Sequence, residues 1–438
     1  MSVRVLAVLG GQWGDEGKGK VVDLLADRFE IVARYHGGHN AGHTVKFGSQ
    51  HFALHLLPAG IVRGRIGVIG AGVVIDLQAL LAEIDAVREA GVAVGENLLI
   101  SDRATVILPY HRLLDCARER RAGAAKIGTT LRGIGPAYES LAARRALRIG
   151  ELFRPDILRA RVSAVAEETG ALLRGLGEQA IPTADEVVAQ LAEAAERVRP
   201  HVADTGRFLR GRLKAGATLL AEGAHGAMLD LSSGTYPFVT SSHCTSGAVA
   251  SGLEIAPRAL DASLLVLKAY STRVGEGPFP TELNDDTGEF LRKRGNEYGT
   301  STGRPRRTGW FDALVARTAV ELSGAEAVAL TKLDCLDELE EIPVCVGYSL
   351  DGAPVSGLPS IAEDVARLQP QYERFPGWKA TTTGITRYEE LPAPAQRYVR
   401  ALEDAIGAQA VLLSTGPRRE ETIWRADNPF VAALPPAG

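Results

Sequence analysis

The stretch GGQWGDEGKGK at residues 10–20 decides how this chain is read. An apolar run, VRVLAVL at residues 3–9, precedes it, and an amphipathic run, KVVDLLADRF at residues 20–29, follows. That order reads as strand, glycine loop, helix. Glycines let a backbone turn tightly and bring its N–H groups and a helix N-terminus against a phosphate, while Lys18 adds a point charge. The spacing is not that of the ordinary phosphate loop. Five residues separate Gly11 from Gly17, and Gly19 stands where a hydroxyl for Mg²⁺ is expected after the lysine. Asp15 and Glu16 put carboxylates inside a loop meant for polyanions, which costs repulsion unless one of them binds a metal or moves a proton. The loop therefore points to chemistry as well as binding.

Working outward, the 438 residues, 45% hydrophobic, suit a large core, and an α/β sheet of this size can form one unit, residues 1–438. The net charge of −4 and the lack of any Lys/Arg block argue against a nucleic-acid binder. Anionic substrates must then meet local basic clusters. The apolar start is too short for a signal peptide, and no run of about 18 apolar residues occurs, so a cytoplasmic protein off the membrane is expected. Cys116, Cys244, Cys335 and Cys345 have no metal-ligand spacing and suit a reducing compartment.

Polar glycine loops recur after apolar runs. Residues 31–45, IVARYHGGHNAGHTV, begin as a strand and dissolve into Gly, Asn and His36, His39 and His43. The glycine setting and lack of Cys or carboxylate partners argue against zinc there. Residues 67–76 and 98–109 read as strands, and residues 77–90 and 111–121 as helices. Residues 126–139, KIGTTLRGIGPAYE, form a hydroxyl-rich loop leading to Arg144 and Arg145, and residues 151–214 read as a helical excursion covering the sheet. Strands are expected at 218–230, 264–274, 327–334 and 410–417, the first followed by the hydroxyl-rich loop GTYPFVTSSHCTSG at 234–247. Ligands gather at the carboxyl ends of parallel strands, so these loops suggest one crevice. GTSTGRPRRTGW at 299–310 crowds three arginines suited to bidentate carboxylate binding before a helix at 311–322. TKLD at 331–334 matches the [NT]-K-x-D element that reads guanine, because the Asp334 carboxylate can accept from both the ring N–H and the exocyclic amine. Trp378 and Trp424 are read as core.

QWGDEGKGK, GGHNAGH, the GTT loop at 128–130, the arginine loop and TKLD together resemble the adenylosuccinate synthetase family, in one order over nearly the whole chain. The resemblance implies a large, mostly parallel sheet flanked by helices, similar to phosphate-loop NTPases, with helical and loop excursions. It implies GTP at Gly14, Asp15, Glu16, Gly17, Lys18, Gly19, Lys20, Gly42, His43 and Thr44, and again at Arg306, Lys332, Leu333, Asp334, Ser414, Thr415 and Gly416. It implies inosine monophosphate (IMP) at Asp15, Lys18, Asn40, Ala41, Gly42, His43, Thr130, His225, Thr240 and Arg304, with Arg144 reaching the IMP phosphate from the other subunit of a homodimer. Thr300, Ser301, Thr302, Gly303, Arg304 and Arg306 would hold L-aspartate. Asp15 and the Gly42 carbonyl would hold Mg²⁺.

An oxo group on a purine leaves poorly, so a two-step reaction is expected. Asp15 takes the N1 proton of IMP, O6 attacks the γ-phosphate of GTP with His43 and Lys18 stabilising the transfer, and aspartate then displaces phosphate at C6. His225 stands in the EGA-x-G turn beside the reacting oxygen, where the family usually has glutamine. Leu131, His243 and His36 also depart from the family pattern. They raise a second expectation, a specialised copy acting on an altered base or tolerating an inhibitor. A GTP-binding switch is the remote third, and it leaves the arginine loop and GGHNAGH unused.

Overall fold

The computed structural model describes residues 2–47, 50–299 and 303–437. At its centre is a ten-stranded sheet. In chain order its strands are β1 (Val5–Gly10), β2 (Ile31–Arg34), β3 (Ile66–Ile69), β4 (Leu98–Ser101), β5 (Val202–Ala203), β6 (Leu219–Gly226), β7 (Ala262–Lys268), β8 (Ala327–Thr331), β9 (Gln409–Ser414) and β10 (Thr422–Trp424). Their spatial order is β10-β9-β8-β7-β1-β6-β2-β3-β4-β5, and every neighbouring pair is parallel except β9 with β10. The fold class expected from the sequence is the one observed.

β1 explains why the sheet is buried on both faces. All six of its residues are buried. Leu6 and Val8 face a layer holding Val22 and Leu25 of helix α1 (Lys18–Ala26), whereas Val5, Ala7 and Leu9 face an opposite layer with Val315 and Ala319. A strand sandwiched this way reads as a continuous apolar run, not an alternating one. Truncating Leu6 to Ala would cost about 2–5 kcal/mol.

Three of the expected strands are broken. Residues 67–76 divide into β3 and a short Val74–Ile75 strand because Gly70 and Gly72 lie against other backbone: a Cβ on Gly72 would come within 2.3 Å of the Tyr35 carbonyl. Residues 98–109 divide likewise into β4 and Thr105–Val106. Residues 264–274 leave the sheet after Lys268, and Ser271–Arg273 pairs antiparallel with Arg307–Gly309 instead. The excursion at 151–214 contains helices Pro155–Gly175, Ala184–Val198 and Thr205–Lys214, but it also returns to the sheet, since β5 within it forms the outermost strand beside β4. Trp378 is buried and donates to Asp337 Oδ1 at 2.8 Å, as a core role requires, while Trp424 is half-buried.

The loops after β1, β2, β6, β7, β8 and β9 all leave from strand carboxyl ends. They open onto one cavity of about 1750 Å³.

Candidate active site

The loop after β1 is set by three left-handed residues, Gly14 (φ 86), Asp15 (φ 58) and Gly17 (φ 93). Glycine adopts this conformation without strain, and a short polar Asp tolerates it. Gly17 caps α1 without a side-chain bond, and the first turn carries no acid, so the first N–H groups of the helix remain for an anion. Glu16 has no exposure and turns inward. Its Oε1 accepts from the N–H groups of Gln12 (3.0 Å) and Gly14 (2.9 Å), and its Oε2 accepts from Lys18 Nζ at 2.5 Å. Burial alone would raise this carboxyl, but the Lys18 charge and these donors hold it below its usual value. Gly10 and Gly226 make room for it: a Cβ on either would sit within 2.6 Å of its oxygens. The Glu16 side chain is thus an internal brace, and the GTP contact expected of this residue falls to its backbone.

Three more hydrogen bonds tie this loop to the strands beyond β1. The Gln12 amide donates to the Tyr270 carbonyl (3.0 Å) and accepts from the Lys268 N–H (3.0 Å). Thr331 Oγ1, at the end of β8, donates to the Glu16 carbonyl at 2.5 Å.

β2 delivers the second wall. His43 is buried, and its Nδ1–H donates to Glu222 Oε1, while Glu222 Oε2 accepts from the Ala59 N–H at 2.8 Å. This holds a proton on Nδ1 and leaves Nε2, which has no hydrogen-bond partner among the described residues, as the working nitrogen. Burial lowers the His43 pKa and Glu222 partly restores it, with a net fall below 6.5. His36 accepts the Ala224 N–H on Nε2 (3.0 Å), so its Nδ1 carries the proton and donates to Ser242 Oγ (3.1 Å). His225 packs beside it, with ring centroids 5.9 Å apart. Burial, then the Lys18 charge, lowers His225 to about 3, so its ring is neutral at pH 7. Ligand atoms of His36, His225 and Cys244 lie within 4.8 Å of one another. The proton on His36 Nδ1 and its occupied Nε2 leave no lone pair there for a cation. The Cys244 thiol is also held protonated by burial and the nearby Asp230 charge.

The arginine loop supplies the third wall. Arg306 Nη1 donates to Glu297 Oε2 at 2.8 Å, and its Nε lies 2.9 Å from Asp15 Oδ2. That second contact is a charge pair without the alignment of a hydrogen bond, since among the described residues Nε has no bonded acceptor. On the fourth wall, Lys332 is left-handed (φ 63) and donates through Nζ to the Gly295 carbonyl at 2.5 Å, leaving the neighbouring Asp334 carboxylate facing the cavity. Burial raises the Asp334 pKa. Lys20 Nζ donates to Ser414 Oγ (2.7 Å) and to the Gly416 (2.8 Å) and Glu421 (2.8 Å) carbonyls, fixing the loop after β9.

Of the residues singled out in the sequence, Gly14, Asp15, Gly17, Lys18, Gly19 and Lys20 line the cavity from the first loop. Asn40, Ala41, Gly42 and His43 line it from the second. Thr130, His225, Thr240, Arg304, Arg306, Lys332, Asp334, Ser414 and Gly416 complete it. Glu16, Leu333 and Thr415 are buried away from the cavity, and Gly303 and the exposed Arg144 lie outside it. Thr300, Ser301 and Thr302 fall outside the described residues, as does the side chain of Thr44. Sequence reasoning missed Glu222, Glu297 and Gln12. The acid in LAEGAHG at a strand end was a signal for Glu222, but nothing local pairs it with His43.

Comparisons with known proteins show the family and the fold. A family model described as adenylosuccinate synthetase matches residues 7–423. The chain is similar to the adenylosuccinate synthetases of Koribacter versatilis (strain Ellin345), 46% identical over 98% of this chain and 97% of that protein, and of Solibacter usitatus (strain Ellin6076), 48% identical over 98% and 99%. Its fold is similar to that of a fully ligated adenylosuccinate synthetase from Plasmodium falciparum, with TM-score 0.91 and 37% identity over 96% of this chain and 100% of that one. A cyanophage S-2L succinoaminodeoxyadenylate synthetase, bound to dGMP and dATP, shares the fold alone at TM-score 0.60 and 20% identity over 97% and 96%.

Proposed function

The chain belongs to the adenylosuccinate synthetase family, and on that premise we propose which of its side chains carry the GTP-dependent joining of L-aspartate to IMP. The observation that supports the assignment is convergence: Asp15, Lys18 and His43 share one cavity with the base-reading Asp334 and with Arg304 and Arg306. Its volume, about 1750 Å³, exceeds the roughly 300–1,000 Å³ of a pocket for one small ligand.

The γ-phosphate of GTP lies over the N-terminus of α1, with Lys18 neutralising charge and Asp334 holding guanine. Asp15 removes the N1 proton of IMP, so that O6 attacks the γ-phosphorus and GDP leaves. His43, oriented by Glu222, acts in its charged form and donates from Nε2–H to the transferring group. The amino nitrogen of aspartate, held through Arg304 and Arg306, then attacks C6; the C6–O bond breaks and phosphate departs. Asn40, Thr130, Thr240 and His225 surround the IMP. Mg²⁺ fits hard oxygen donors among the lining residues, the Asp15 carboxylate and the backbone carbonyl of the exposed Gly42, and bound there it would neutralise charge on the phosphates. Arg144, exposed and left-handed (φ 63) just beyond helix Ile134–Ala142, is available to a second copy of the chain, which supports a homodimer. We read residues 1–438 as one unit working in the cytoplasm. Among the described residues no helix is long and apolar enough to cross a membrane.

The test is substrate dependence. Phosphate release from GTP should require IMP and aspartate together and yield adenylosuccinate. GTP hydrolysis at the same rate without either would overturn the assignment in favour of a switch. Neither the switch nor the specialised copy gains support from the comparisons.

A further inference from the structure

Two fully buried charges, Lys268 and Glu297, have no part in the mechanism above. Taking such a pair out of water costs several kcal/mol for each ion, and apolar residues of similar volume often hold a core as well. Their connections suggest what they do instead. Glu297 Oε1 accepts from Lys268 Nζ (2.9 Å), at the end of β7, and from the Tyr270 hydroxyl (2.5 Å). Its Oε2 accepts from Arg306 Nη1 (2.8 Å). Lys332, two residues before Asp334, adds its charge, and its Nζ binds the Gly295 carbonyl close to Glu297 in the chain. Burial would raise the Glu297 carboxyl, but these cations hold it ionised, at about 2.

The backbone makes the same junction. The Arg306 N–H donates to the Glu297 carbonyl at 2.9 Å, and Tyr298 bridges to Pro305, so these residues close the base of the arginine loop. Arg306 is therefore fixed on one side, through Nη1 and its own backbone. On its other side it meets Asp15 only through an unaligned charge contact that an incoming carboxylate can replace.

We propose that Glu297 is a positioning residue: it holds Arg306 at the boundary between the aspartate site and the phosphate loop, with Lys268 and Tyr270 holding Glu297. The inference rests on the assignment of Arg306 to aspartate made above. It predicts a defect in aspartate binding, not in chemistry.

The experiment is a double-variant cycle on the full-length enzyme, reading KM for aspartate, kcat and thermal unfolding in Glu297→Gln, Arg306→Ala and the two combined. Glu297→Gln should raise the aspartate KM about 10-fold, the loss of one charge-assisted hydrogen bond, with kcat within about 3-fold of wild type. Arg306→Ala should raise it at least as far, and the combined variant should be no worse than Arg306→Ala alone, because Glu297 acts through Arg306. Should Glu297→Gln fail to fold with Lys268 left unpaired, the pair Glu297→Gln/Lys268→Met removes both charges and takes its place. Effects that multiply in the combined variant, or a fall in kcat and stability at unchanged aspartate KM, would overturn the inference and leave Glu297 a structural brace. An Arg306→Ala enzyme with ordinary aspartate KM would instead remove the assignment of Arg306, and the inference with it.

Discussion

Replacing Glu222 with glutamine probes the mechanism without touching the cavity wall. Both carboxylate oxygens accept, one from His43 Nδ1–H and the other from the Ala59 N–H. Glutamine offers one acceptor and one donor, so a buried N–H must face an NH₂ group whichever way the amide sits. Losing a charge-assisted hydrogen bond and stranding a donor costs about 2–4 kcal/mol of stability. Activity should suffer more. The Glu222 charge counteracts the burial that lowers His43, so without it the ring falls further below 6.5 and stays neutral. A neutral ring with its proton on Nδ1 presents only a lone pair at Nε2 and cannot donate to the phosphoryl oxygens of the transferring group. Glu222→Gln is therefore expected to lose about 10²–10³ in kcat, with KM for IMP and GTP within about 3-fold because Glu222 does not reach the cavity. Steady-state phosphate release at saturating substrates, on protein shown to be folded by its near-UV spectrum, checks this. A folded variant with kcat within about 3-fold of wild type would refute the orienting role.

Asp334→Asn should weaken GTP by about 1.5–3 kcal/mol and favour xanthosine triphosphate, whose 2-oxo group accepts where guanine donates; competition between the two nucleotides measures it. Hybrid dimers mixing Arg144→Leu with Asp15→Asn subunits should recover activity that neither parent shows, and a mixture as inactive as its parents would place Arg144 in its own subunit's site. Leu131 is 40% exposed at φ 58, a conformation that costs a leucine about 1–2 kcal/mol, so Leu131→Gly should raise the urea midpoint. His225 is depressed to about 3, so the unfolded chain binds its proton more readily and stability is lost as pH falls from 6.5 towards 3. His225→Gln removes that loss and should gain about 2 kcal/mol on wild type between pH 7 and pH 5, read from urea midpoints, while kcat/KM for IMP in the same variant reports whether the imidazole affects base choice.

Local patterns made much of this molecule legible. An apolar run, a glycine loop and an amphipathic run have no other reading than β1, its loop and α1, and the same pattern placed the loops after β2, β6, β8 and β9 around one crevice. What escaped depends on contacts distant in sequence. The break after β3 exists because Gly72 meets the backbone of Tyr35, and strand β5 is two residues long within a run of helices. The inward turn of the Glu16 side chain is made possible by Gly10 and Gly226, the latter more than two hundred residues away. His43 and Glu222 are 179 positions apart, so no spacing rule could join them.

The position of β1 has a consequence for how the protein is made. β1 is translated first, yet its two neighbours, β6 and β7, begin only at Leu219 and Ala262. At roughly 5–20 residues per second, about 10–40 s pass between the emergence of VLAVLG and that of its first partner strand. During that interval an unpaired apolar edge, the kind that associates with other chains, is exposed at the ribosome. Yield in cells should therefore depend on chaperones that shield nascent chains, and no fragment ending before the middle of the sequence can build the floor under its own phosphate loop.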